Sequence, residues 1–120
     1  MNTIIQVAQV AVALTILNVW LLRARVATAW RGGEATNMRE EFAVYGLPEW
    51  FMRVIGVVKV SLAALLIAGV WVPELTKPAA SGLGFLMLAA VAMHFKAGDP
   101  VRKSLPAFTV FVLCGFIALA

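Results

Sequence analysis

The chain has 120 residues, 62% of them hydrophobic and 13% charged, and carries a formal net charge of +4. A soluble domain is about half apolar and about a quarter charged, so this composition favours an outer surface in contact with lipid rather than water. The single cysteine excludes an intrachain disulfide and a CxxC pair, and basic residues gathered in loops without interleaved exposed aromatic residues argue against nucleic-acid binding.

The first predicted element is an apolar span at about residues 4–22, which has no charged side chain. It is long enough to cross a bilayer and lacks the positive n-region of a secretory signal, so we expect it to be retained. Gln6 and Gln9 share a face with Trp20, whereas Asn18 lies on another side. Amides in lipid need partners, so Gln9 is predicted to bond to a neighbouring helix, with ligand contact as the alternative. Trp20 either packs inward or anchors the span at the interface.

A polar first loop follows and contains the signals of a short helix. Asn37, with Glu40 three residues later, is typical of a capping box, and Gly46 is typical of a helix end, so we predict a helix at about residues 38–45. The apolar residues on one of its faces are Met38, Phe42 and Tyr45. This amphipathic helix is expected to lie at the interface as a connector or to fold over the bundle as a lid.

The second span, at about residues 51–72, contains a lysine. Lys59 lies about 12 Å from the start of the span at 1.5 Å per residue, and a charge so deep in a hydrocarbon core about 30 Å thick is costly. Gly56 and Ala63 share its face and allow another helix to approach closely. We therefore predict that Lys59 faces the bundle, where it either snorkels or pairs structurally, or serves a ligand or a proton. Arg53 is close enough to the end to reach headgroups.

The third span, at about residues 78–95, ends at the only histidine, His94. Such a residue either makes an interfacial hydrogen bond or handles a proton or ligand, and without a second histidine or a cysteine pair it predicts no metal site. A turn at 97–100 contains Asp99, which can bond to its own backbone. The fourth span is predicted at about residues 104–120.

Basic residues are distributed unequally between the two sides of the predicted bundle. Four spans place the first and third loops on one side, and these loops and their flanks hold eight Lys and Arg residues, whereas Lys77 alone lies on the other side. The eight are Arg23, Arg25, Arg31, Arg39, Arg53, Lys96, Arg102 and Lys103. The positive-inside rule therefore predicts both basic loops in the cytoplasm and both termini on the periplasmic or outer side of the cell inner membrane.

This topology gathers polar groups at one mouth of an up-down-up-down bundle. There Glu41 could fold back toward Lys59 and offset the cost of its buried charge. We therefore predict an all-α protein, a four-helix transmembrane bundle in a single domain, 1–120, with a short amphipathic helix in the first loop. The candidate ligand-binding residues are Lys59, His94, Tyr45, Glu41, Arg53, Gln9, Asn18 and Asp99.

Several short motifs occur in a fixed order along these elements. They are Glu40-Glu41-Phe42, Tyr45-Gly46-Leu47-Pro48, Gly56-x-x-Lys59, and His94-Phe95 running into Gly98-Asp99-Pro100. With the four-span spacing, this set resembles the DoxX-like family of small four-span membrane proteins. The resemblance implies a four-helix membrane bundle and an accessory role in redox or assembly complexes, one of them tied to thiosulfate:quinone oxidoreduction. It draws attention to Lys59, Tyr45, His94 and Asp99. Some relatives use cysteines, and the lack of a pair here argues against thiol redox chemistry.

Three functions follow as hypotheses. The first is an accessory subunit that binds a hydrophobic or quinone-like ligand, or a partner protein, in a cavity open to the cytoplasm. The second is a redox subunit in which Lys59, His94 and a loop carboxylate handle protons around a quinone. The third is a structural module that oligomerises through Gly82 and Gly84, or Gly115. The expected bound molecules are a quinone or membrane lipid, and the expected protein partners are a membrane or redox protein and further copies of this chain.

Overall fold

The computed structural model describes residues 3–25, 28 and 30–120, and the regular secondary structure within these residues is helical. The helices are α1 (Thr3–Leu17), which continues into a wide π turn (Asn18–Leu22), α2 (Met38–Val44), α3 (Glu49–Ala68), a 3₁₀ turn (Pro73–Leu75), α4 (Thr76–Lys96) and α5 (Val101–Leu119). Four of these segments are long and apolar enough to cross a membrane. The predicted all-α class with four candidate spans is therefore confirmed.

The four long helices form a ring in which α1 packs on α3 and α5, and α4 packs on α3 and α5. Each contributes only a narrow buried stripe at helical spacing, such as Gln9, Val12, Ala13 and Ile16 in α1. The remaining faces expose large apolar side chains, including Trp71 at 76% and Phe85 at 71%. An apolar surface around a thin core is what a bundle surrounded by acyl chains requires.

Small residues allow α4 to approach its neighbours closely. A Cβ added at Gly84 would lie 3.3 Å from the Cβ of Cys114 in α5, and one at Gly82 would lie 3.0 Å from Leu62 in α3. These two glycines, which the hypothesis of a structural module offers for contacts between copies, pack against other helices of the same chain. A Cβ at Gly115 would have no neighbour within 4 Å in the described part of the chain.

At the end of the bundle away from the basic loops, a glutamine joins three segments. Gln9 Nε2 donates to the Leu66 carbonyl at 2.6 Å and to Thr76 Oγ1 at 3.0 Å, and the Thr76 hydroxyl donates to the Gly69 carbonyl at 3.2 Å. The predicted interhelical amide contact is thus present. These bonds use the carbonyls of Leu66 and Gly69 at the end of α3. The helix ends at Ala68, although apolar residues continue beyond it.

The short helix α2 begins and ends at the residues expected from its sequence. Asn37 Oδ1 accepts from the Glu40 N–H at 2.8 Å. The Glu40 carboxylate bonds to the N–H and hydroxyl of Thr36 rather than to Asn37, so only half of the capping box forms. At the other end Gly46, with φ of +77°, allows the Leu47 N–H to reach the Phe42 carbonyl at 2.8 Å. This is a Schellman end, which requires a left-handed residue and so favours glycine.

The buried face of α2 is the predicted one, with Met38, Phe42 and Tyr45 all at most 8% exposed. The Phe42 ring lies 6.0 Å from the Trp20 ring of the π turn and 6.5 Å from the Phe51 ring of α3. The helix therefore folds over the basic end of the bundle, which is the second of the two arrangements expected from the sequence.

Candidate functional site

His94 is held by an aspartate that follows it across a tight reversal. Gly98, with φ of +73°, ends α4 in a second Schellman motif, in which the Asp99 N–H donates to the His94 carbonyl at 3.0 Å. The reversal brings Asp99 Oδ2 to 2.8 Å from His94 Nδ1, while Asp99 Oδ1 accepts from the Gly33 N–H at 2.8 Å. Burial raises the pKa of Asp99, but the hydrogen bonds from His94 and Gly33 and the charge of Lys103 outweigh it and lower the pKa overall. The ionised carboxylate only accepts, so Nδ1 carries the proton that it shares with Asp99.

The His94 ring packs edge-on against the Tyr45 ring, with the ring centroids 5.8 Å apart. Tyr45 Oη lies 3.4 Å from both Nδ1 and Nε2, which is long for a bond to either nitrogen, and it donates instead to Glu41 Oε1 at 2.8 Å. Burial, with the charge and hydrogen bond of Glu41, raises the pKa of Tyr45 above its usual range, so the phenol keeps its proton. Among the described residues, His94 Nε2 therefore has no hydrogen-bond partner nearer than 3.4 Å.

Glu41 is neutralised by an arginine that sequence reasoning did not single out. Arg31 Nη1 donates to Glu41 Oε2 at 2.9 Å, and Nη2 donates to the Arg23 carbonyl. Glu41 makes no ion pair with Lys59, because its carboxylate is engaged by Arg31 and Tyr45, but its charge favours the buried ammonium from longer range, so the predicted offset is present in part. Removing one partner of the Arg31–Glu41 pair would leave the other charge uncompensated, which is strongly destabilising. We therefore expect Arg31 and Glu41 to stay paired.

Lys59 lies inside the bundle, as predicted, and is 8% exposed. Its Nζ lies 5.3 Å from the centre of the Trp20 ring, and within the described chain it has no carboxylate at ion-pair distance. The ring fits there because residue 56 is glycine: a Cβ at Gly56 would lie 2.8 Å from the indole. A desolvated cation–π contact contributes about 2 kcal/mol, whereas burying an ammonium costs several kcal/mol. The Trp20 contact alone therefore does not compensate for the burial of Lys59.

Two adjacent glycines of the first loop, Gly32 and Gly33, position the site. A Cβ at Gly32 would lie 2.6 Å from the Tyr45 ring, so only glycine allows this close approach. Gly33, with φ of +56°, donates to Asp99, as above, and its carbonyl accepts from Lys103 Nζ at 2.5 Å. The glycine pair directly after Arg31 is visible in the sequence. The residues that it contacts, Tyr45, Asp99 and Lys103, lie farther along the chain and could not be inferred from it.

The structure separates the eight candidate residues into a group and three outliers. Arg53 is exposed and pairs with Glu49 at 3.1 Å, and Asn18 is exposed at the start of the π turn. Gln9 lies at the other end, since its partner Thr76 is 18 residues from His94 along α4, about 27 Å at 1.5 Å per residue. The residues at the basic end, which we call the mouth cluster, are Glu41, Tyr45, Lys59, His94 and Asp99.

A cavity of about 820 Å³ lies beside the mouth cluster, between the π turn, α2 and the start of α3. None of the mouth cluster lines it. Trp20 and Met38 form the wall between them, because the Trp20 ring covers Lys59 and Met38 Sδ accepts from Arg31 at 3.6 Å. The volume is within the usual range for a ligand site, so one aromatic ring separates a ligand-sized space from a buried ammonium.

No three His, Cys, Asp or Glu side chains within 3–25, 28 and 30–120 are close enough to hold a metal ion. The four apolar spans and the polar groups buried at one end define a small multi-pass membrane protein. The profile of the DoxX-like family matches residues 7–117, and the chain belongs to that family. A search of curated proteins and a search of solved structures gave no match.

Proposed function

We propose that this membrane protein binds an amphiphilic ligand whose tail occupies the cavity and whose polar head accepts hydrogen bonds from the mouth cluster. The observation that carries the proposal is Lys59, a buried ammonium with three N–H donors and no hydrogen-bond acceptor among the described residues. His94 Nε2 is a second buried position without a close partner. Unsatisfied buried polar groups cost about 1–3 kcal/mol each, so a ligand oxygen that accepts from Lys59, or a ligand hydroxyl that donates to His94 Nε2, is stabilising.

In this proposal the Trp20 ring, which covers Lys59, turns aside to admit the ligand. The cation–π contact that would be lost contributes about 2 kcal/mol, and a charge-assisted hydrogen bond to a ligand contributes about 1.5–3 kcal/mol. Because these two free-energy contributions are of similar size, replacing the indole contact of Lys59 by a hydrogen bond to a ligand oxygen changes the free energy little. The tail then gains by contact with the apolar part of the cavity, which includes Leu22 and Met52.

We place the mouth cluster on the cytoplasmic side of the membrane and both termini outside. The support is the excess of Lys and Arg in the two loops at this end over the single Lys77 at the other. A ligand or partner protein would therefore meet the cluster from the cytoplasm or from the inner leaflet.

A quinone-linked redox subunit is a second candidate, favoured by the geometry of one dyad. Asp99 holds the His94 ring beside the phenol of Tyr45, and that phenol donates to Glu41. Reduction of a quinone to a quinol consumes two electrons and two protons. In this version the cluster would deliver the protons, and a partner redox protein would supply the electrons.

The test is recovery of the bound molecule from the protein and from a matched variant. The full chain is purified in mild detergent, and co-purified molecules are identified by native mass spectrometry and organic extraction. We expect Lys59→Met to lose the amphiphile and Lys77→Met, at the exposed opposite end, to retain it. Equal retention by both variants, at equal yield, would contradict a role for Lys59.

A further inference from the structure

The rim of the cavity is strongly basic. Three arginines of the π-turn exit, α2 and the first turns of α3 line it, namely Arg25, Arg39 and Arg53, against a single acidic residue, Glu49. The apolar side chains that line the cavity include Trp20, Leu22 and Met52. A cationic rim beside apolar side chains is complementary to an amphiphile with a negative head.

The arginines are available to such a head. Glu49 lies 3.1 Å from Arg53 and 3.6 Å from Arg39, but these arginine side chains are 72% and 74% exposed. Exposed ion pairs contribute at most about 1 kcal/mol, so an anion can displace them. Arg25 has no ion-pair partner in the described part of the chain.

The heights of these groups match a phospholipid in the bilayer. Arg53 is one turn inside α3 and Arg25 follows the end of the π turn, which is the level of headgroups for a helix that spans the membrane. Leu22, the last residue of the π turn, is 74% exposed and offers an apolar surface to an acyl chain. Basic pockets at the cytoplasmic ends of membrane helices are known to suit anionic headgroups.

We propose that the cavity binds an anionic phospholipid, with its phosphate on Arg25, Arg39 and Arg53 and an acyl chain along Leu22 and Met52. This inference rests on the proposed function and specifies the class of its ligand. A neutral quinone accepts from the Lys59 donors of the mouth cluster but gains nothing from the arginine rim, whereas the negative charge of a phosphodiester is attracted by that rim.

The test compares ligands bound to the full-length protein after exhaustive delipidation. Short-chain phosphatidylglycerol, phosphatidylcholine and a short-chain ubiquinone are each added, and bound adducts are counted by native mass spectrometry. We expect phosphatidylglycerol to bind best. Arg25→Gln and Arg53→Gln should each weaken its binding about fivefold, from about 1 kcal/mol per basic residue near a membrane surface.

Two further variants separate this site from general surface charge. Glu49→Gln releases two arginines and should strengthen phosphatidylglycerol binding, whereas a merely structural Glu49 would not produce that gain. Arg102→Gln, exposed at the same end but outside the cavity, should leave binding unchanged. Unfolding temperatures of all variants are measured alongside, and we expect them to stay close to the wild-type value.

The outcomes distinguish the two proposals. Equal binding of phosphatidylcholine or ubiquinone, or an equal loss in Arg102→Gln, overturns the anionic-lipid site while leaving an amphiphile-binding protein. Displacement of the lipid by inorganic phosphate at equal concentration shows that the free anion is the ligand and also overturns it. Failure of all three amphiphiles to bind overturns the proposed function itself.

Discussion

At the scale of single residues, the polar groups of the mouth cluster differ in how many hydrogen-bond partners they have. Asp99 accepts two hydrogen bonds and Glu41 accepts from both Arg31 and Tyr45, so the buried carboxylates are well supplied with donors. Lys59 and His94 Nε2, by contrast, have donor or acceptor capacity that the described residues do not use. The carboxylates are therefore expected to serve the fold, and the two nitrogen groups to serve the ligand.

Asp99 provides a stability test at this scale. Its pKa is lowered by folding, so its carboxylate stabilises the protein above the ordinary value of 3.8, and this contribution is lost as the pH falls through the lowered folded value. Asp99→Asn should cost about 1–3 kcal/mol at pH 7, because a buried histidine loses its charged partner.

The measurement is thermal unfolding between pH 7 and pH 3 in detergent. Wild type should lose stability below about pH 4, and the variant should show a flatter profile there. Glu74→Gln, an exposed carboxylate at the opposite end, is the control and should keep the wild-type profile. An unchanged stability of Asp99→Asn at pH 7 would show that the dyad does not hold the end of α4.

At the scale of elements, the local signals were sufficient for the helices but not for their cross-connections. The cap at Asn37 and the stop at Gly46 act within five residues, so they could be read directly from the sequence. The Arg31–Glu41 pair and the Gly33–Asp99 bond join the first loop to other segments, at sequence separations of 10 and 66. Periodicity does not report on such contacts, because irregular loops have no repeating face.

The Gly32 contact tests this loop. An alanine there would place its Cβ 2.6 Å from the Tyr45 ring, so α2 or the ring must shift. We expect Gly32→Ala to destabilise the protein by about 1–3 kcal/mol, the usual range for overpacking. Gly115→Ala, on an open helical surface, should be neutral or slightly stabilising, since alanine is the better helix former. Equal unfolding temperatures for the two variants would contradict the packing of this loop on Tyr45.

At the scale of the whole molecule, composition determined most of the architecture. Long apolar runs predicted the four helices, and the inward face of Lys59 followed from its flanking small residues. The π turn that carries Trp20 could not be predicted, because its sequence differs little from the α-helix before it. Nor could the cavity, since it depends on how α2 folds back across the bundle.

The proposed orientation can be tested by labelling. In a Cys114→Ala background, single cysteines are introduced at two exposed positions, Glu74 and Arg102. In intact cells a membrane-impermeant maleimide should label the Glu74→Cys protein, and the Arg102→Cys protein should react only after lysis. The reverse pattern would place the mouth cluster on the outer side.

The most direct test asks whether the buried Lys59 serves ligand binding or the stability of the bundle. Replacing a buried, poorly compensated charge by an apolar residue of similar shape is often neutral or stabilising by about 1–4 kcal/mol. We therefore predict that ligand-free Lys59→Met unfolds at the wild-type temperature or above, and that added short-chain phosphatidylglycerol raises its unfolding temperature less than that of wild type. A ligand-free variant that unfolds well below wild type would show instead that Lys59 holds the bundle together.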